Sequence, residues 1–92
     1  MKKISEMTME ELEQARAEAD ETRKGWMEFW AGWETENIRG CEIRIAEIDK
    51  EITVRKFTES CAEGVADGRI SQEQADRWIG LLKSTSIVNF MK

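Results

Sequence analysis

The sequence predicts an all-α protein: a long antiparallel helical hairpin, a short third helix and a C-terminal tail docked on the core. Three observations predict it. The 92 residues include no proline and only six glycines, whereas a compact β domain uses both freely in its turns. Apolar residues recur every three or four positions along two long stretches, the helical period. Two capping boxes, Thr8-x-x-Glu11 and Ser71-x-x-Gln74, mark helix starts. The length fits one domain over 1–92 with a small core.

The first helix starts at Thr8, with Met7 and Leu12 placed to form a hydrophobic staple. Glu10 and Glu11 occupy its first turn, where the helix dipole favours anions. Leu12, Ala15, Ala19, Thr22, Trp26, Phe29 and Trp33 then step by three and four as one seam. Asp20 and Lys24 form an i,i+4 pair on the outer face. Gly25 and Gly32 interrupt the helix, each costing about 1 kcal/mol. They imply room made for a neighbour, or a bend.

A second seam, Ile38, Cys41, Ile45, Ile48 and Ile52, runs out of phase with the first. The slip places a break near Asn37 and Gly40 and a second helix over about 41–65, supported by a Glu51–Arg55 pair. Its apolar face then rotates through Val54, Phe57, Cys61 and Val65, so this helix meets two neighbours along its length. In the hairpin, Ala15 and Ala19 are expected opposite Phe57 and Cys61, small against large. Residues 41–57 also read as a β-hairpin, since Cys41, Ile43 and Ile45 alternate with Glu42 and Arg44. That alternative lacks a glycine or asparagine at its turn. Gly64, Asp67 and Gly68 end the second helix. Ser71 caps the third, with Ala75, Trp78, Ile79 and Leu82 as its stripe, lying across the hairpin. Ile87, Val88, Phe90 and Met91 are apolar enough to dock.

Composition narrows function. No histidine is present, which excludes Cys/His zinc sites and Ser-His or Cys-His nucleophiles. Cys41 and Cys61 are about 30 Å apart on a continuous helix, too far for a disulfide. They read as reduced thiols. No apolar run spans a membrane and no signal peptide is visible, so a cytoplasmic location (of the host cell, if phage-encoded) is expected. Residues 1–36 carry ten acids and five bases, and residues 37–92 carry nine of each. An N-terminal third of net −5 is a poor surface for nucleic acid or an anionic membrane.

Val65 to Ser71 resembles the middle of an EF-hand calcium loop. With Gly68 at the sixth position, Val65 falls at the third and Gln74 at the twelfth, where neither supplies the required ligand. Acid pairs Glu47/Glu51, Glu59/Glu63 and Glu73/Asp76 are similar to those on the magnesium-holding helices of all-α nucleotide hydrolases. Here Arg44, Lys50 and Arg55 interleave with the acids, which is the pattern of a solvated, salt-bridged face. No residue is expected to be catalytic, and no cofactor or metal is expected.

The densest feature is the run 25–33, with Trp26, Phe29, Trp30 and Trp33 on one helix face. With Met27 the large side chains span roughly 160° of the helix, wider than one packing seam needs. The expected partner-binding residues are therefore Trp30 and Met27, flanked by Trp26 and Trp33. The acids Glu10, Glu13, Glu18, Asp20, Glu21 and Glu28 would select a basic groove. The expected function is a small acidic protein-binding module acting as a steric inhibitor. In type it is similar to the phage and mobile-element proteins that block host nucleic-acid-processing or defence enzymes, such as anti-CRISPR or anti-restriction proteins, although no motif identifies a family. The alternative is a homo-oligomerising scaffold closed through the aromatic stripe, and a magnesium-dependent nucleotide hydrolase ranks behind both.

Overall fold

A computed structural model describes residues 2–29 and 35–91. Three helices carry the fold: α1 (Met9–Phe29), α2 (Thr35–Ala66) and α3 (Gln72–Lys83), with single 3-10 turns at Ile4–Glu6 and Ile87–Phe90. No strand occurs among the described residues, and 41–57 is helical throughout, so the β-hairpin alternative is set aside. Helix wins there because Cys41, Ile45, Ile48 and Ile52 fall on one side only with a 3.6-residue repeat.

The capping chemistry is as the sequence reads. The Thr8 hydroxyl accepts from the Glu11 amide at 3.1 Å, and the Glu11 carboxylate accepts from the Thr8 amide at 3.1 Å. Ser71 and Gln74 reciprocate in the same way at 3.1 and 3.3 Å. α2 ends in a Schellman motif. Gly68 takes φ 77°, its amide donates to the Val65 carbonyl, and the Arg69 amide donates to the Gly64 carbonyl. Only glycine adopts that backbone without strain, and the motif satisfies carbonyls that the helix end leaves open.

α2 starts at Thr35, six residues before the expected Cys41. The break between helices therefore precedes Asn37 and Gly40, and Gly40 sits inside the helix. One glycine does not stop a helix whose neighbouring Ile38 extends a seam already packed on α1. Gly25, inside α1, stands in open space. A methyl group there would meet nothing within 4 Å, so it makes no room for a neighbour. Gly32 lies outside the described residues.

α1 and α2 pack as an antiparallel hairpin. Arg16 of α1 meets Asp49 of α2, with Nε donating to one carboxylate oxygen at 2.6 Å and a second nitrogen to the other at 3.4 Å. At the far end Arg55 donates to the carbonyls of Ile4 and Ser5. This register places Ala15 and Ala19 near the level of residues 50 and 46, and not opposite Phe57 and Cys61 as expected. Phe57, Cys61 and Gly64 instead face Ile70 and Trp78, across a small apolar gap between α2 and the start of α3.

α2 is the hub, with α1, α3 and both 3-10 turns packing on it. α3 does not lie across the hairpin; it packs on α2 and makes no comparable contact with α1. Two buried sides explain why the apolar residues of α2 are spread around its axis instead of forming one stripe. Leu12, Ile48, Ala46, Val54, Cys61 and Ala75 form the buried core. The tail docks as expected, with Ile87 beside Val54 and Phe90 and Met91 beside Ile45. Both cysteines are free, Cys61 buried and Cys41 half-buried. Among the described residues no helix is long and apolar enough to cross a membrane.

Candidate functional site: the outer face of the first helix

The α1 seam points inward at Leu12 and becomes progressively exposed toward Thr22. Two residues out of phase with that seam, the opposite side of α1 carries Glu10, Glu13, Ala17, Glu21, Lys24 and Glu28. Their spacing of 3, 4, 4, 3 and 4 keeps them on one line, about 27 Å long at 1.5 Å per residue. All six are exposed. Glu10, Glu13, Glu21 and Glu28 form no ion pair among the described residues.

The structure divides the other expected residues. Glu18 lies on the flank, exposed, and accepts from the Gln14 amide at 3.2 Å. Asp20 is half-buried and committed within its own helix, to Lys24 at 3.2 Å and Arg23 at 3.2 Å. Hydrogen bonds from Lys24 and then Arg23 hold its carboxyl below the ordinary value. Asp20 thus presents little free charge to a partner. Met27 is 50% exposed, and its sulfur receives a contact from Arg23 at 3.4 Å. Trp26 is half-buried, and the hairpin register carries it to the level of Ile38 and Arg39. Trp30 and Trp33 lie outside the described residues, as does the Phe29 side chain.

Three features escaped the sequence. The Arg16–Asp49 bridge joins residues 33 apart, and nothing local signals it. It borders a cleft of about 300 Å³ where α1, α2 and the tail meet, lined also by Glu42 and Phe90. The Arg55 grip on the N-terminal carbonyls is equally non-local. The third is exposed apolar surface on α3 and the tail: Trp78 is 41%, Leu81 62% and Val88 68% exposed. Leu81 is visible in the sequence as a leucine off the stripe of α3.

The acid pairs of α2 and α3 do not converge. Glu51 is taken by Arg55 at 3.0 Å. Among the described residues no three Cys, Asp or Glu side chains gather as a metal ion would need. An open groove of about 730 Å³ runs between Ile4 and Ile87 over Val54 and Thr58. None of the expected partner-binding residues lines it.

Comparison with known proteins adds no relative: no family model matches the chain, and no curated protein or solved structure matches it.

Proposed function

We propose that this chain is a protein-binding module whose outer α1 face enters a basic groove on a partner enzyme. Occupation of a groove that otherwise holds nucleic acid makes it a steric inhibitor of a nucleic-acid-processing or defence enzyme. The observation that carries the reading is the line Glu10, Glu13, Glu21 and Glu28, exposed and without internal ion pairs. Glu10 suits the first turn of α1, but Glu13, Glu21 and Glu28 gain no such support from the fold. Glu10 and Glu13 repel at i,i+3. Glu28 sits in the last turn of α1, which holds no basic residue, where the helix dipole disfavours an anion. A row of exposed carboxylates without internal ion pairs is suited to long-range attraction toward a basic surface. Met27, exposed beside Trp26, supplies an adaptable apolar contact at one end of the row.

The test is a cleavage panel of CRISPR, restriction and recombination nucleases titrated with the protein. Inhibition of at least one enzyme is expected, weakened about tenfold or more when Glu10, Glu13, Glu21 and Glu28 are all changed to Gln. No inhibition across the panel, or equal inhibition by the neutralised variant, overturns the proposal.

A further inference from the structure

We propose that the open groove between the N-terminal turn, α2 and the C-terminal segment binds a free fatty acid, with the chain along its apolar floor and the carboxylate against lysine. This is independent of the partner-binding reading of α1, because no residue of α1 lines the groove. Val54 lies buried in the floor, and Ile4 and Ile87, both half-buried, line it from the two terminal turns. Three separate elements supply these side chains, so the groove is made by the tertiary fold. Its volume of about 730 Å³ is that of a small-molecule site.

The shape suits a chain. The α2 residues that line the groove run from Glu47 to Thr58 in steps of three and one, a single stripe of that helix. The stripe is about 16 Å long at 1.5 Å per residue. An extended chain of about twelve carbons, with C–C bonds of about 1.5 Å in zigzag, has a similar length. One side of the groove is open, so part of the chain stays wet and binding in the micromolar to millimolar range is expected.

Charge selects an acid head. Arg55 neutralises Glu51 at 3.0 Å and also donates to the carbonyls of Ile4 and Ser5, so that pair is committed to the wall. Lys50 and Lys83 line the same groove, and neither forms an ion pair among the described residues. Lys50 is half-buried, where a cation gains from an anionic partner. Against the two lysines stands one uncommitted acid in the lining, the exposed Glu47. The groove is therefore positive on a chain whose net charge is −5. A single carboxylate meets that excess, whereas an uncharged or cationic head does not. An anionic bilayer is repelled by the chain as a whole, so the ligand is the free acid.

The test is NMR titration of the full chain with octanoate, decanoate and dodecanoate below their micelle concentrations. Saturable shifts are expected at the amides of Val54, Thr58 and Ile87, with affinity rising about two- to fourfold per added CH₂. Lys50→Gln combined with Lys83→Gln, at positions without a partner in the fold, is expected to keep the helical circular dichroism and weaken dodecanoate about tenfold. Lys56→Gln combined with Arg77→Gln removes the same charge away from the groove and is expected to change the affinity by less than about twofold. Octanol, the uncharged counterpart, is expected to bind more weakly than octanoate. The absence of saturable binding overturns the proposal, as does binding to phosphatidylglycerol vesicles in place of the free acids. So does an affinity indifferent to chain length, an equal loss in the two charge variants, or octanol binding as tightly as octanoate.

Discussion

At the scale of single residues, glycines separate conformational need from accident. Gly68 holds a positive φ at the end of α2, and a side chain there meets backbone strain. Gly25 and Gly40 lie in helix interiors with open space around them. Gly25→Ala and Gly40→Ala should each stabilise the protein by about 0.5–1 kcal/mol in urea unfolding, while Gly68→Ala should cost about 1 kcal/mol. Gly64 is intermediate in kind. An added Cβ would stand 3.2 Å from Ile70, so Gly64→Ala should gain less than Gly25→Ala. The sequence shows that these residues are glycines and cannot show which have empty space beside them. It does reveal both capping boxes and the Asp20–Lys24 and Glu51–Arg55 pairs, because each is fixed by spacing within one helix.

Residue chemistry also sets the acid response. Glu11 is lowered by the Thr8 amide and then by Lys2, and Asp20 by Lys24 and then Arg23. A carboxyl whose folded pKa lies below its unfolded one binds more protons when unfolded. Its contribution is present above the unfolded value and is lost as pH falls through the folded one. Stability should therefore decline as pH drops below the ordinary glutamate value of 4.5 and then the aspartate value of 3.8. Glu11→Gln should flatten that decline in acid titrations followed by circular dichroism. An unchanged slope contradicts the assignment.

At the scale of elements, the sequence locates all three helices and the docked tail but misplaces the hairpin register. The expected antiparallel pairing of Ala15 with Cys61 differs from the pairing of Arg16 with Asp49 by eleven residues, about 16 Å along the helix. Moving the break between helices upstream by half that number produces the whole error. Register across a hairpin depends on where the chain reverses, and seams of repeating Ile and Ala fit equally well at several offsets. Arg16–Asp49 is the polar contact that distinguishes them. Its side chains are 36% and 24% exposed, so a double-mutant cycle of Arg16→Ala and Asp49→Ala should give a coupling of about 0.5–1 kcal/mol. A coupling near zero contradicts a bridge formed in solution.

At the scale of the whole molecule, the chain builds from its hub outward. α2 is covered by α1, α3 and the two terminal turns, and the molecule extends 54 × 23 × 19 Å. Its exposed surfaces differ in kind: a row of carboxylates on α1, and separate apolar side chains, Leu81 on α3 and Val88 on the tail. The acidic side is legible in the sequence, because net charge and helix phase suffice to place it. The apolar side is less legible, because Trp78 reads as core by helical spacing and does line the gap between α2 and α3, yet is left 41% exposed when α3 packs on α2 alone. On our proposal the acidic face takes the place of nucleic acid on a basic partner. Its most direct test is competition, in which an inhibited nuclease is titrated with the protein in the presence of increasing duplex DNA and salt. We expect mutually exclusive binding and an affinity that weakens as salt rises. A nuclease that holds DNA and the protein together, with an affinity indifferent to salt, contradicts it.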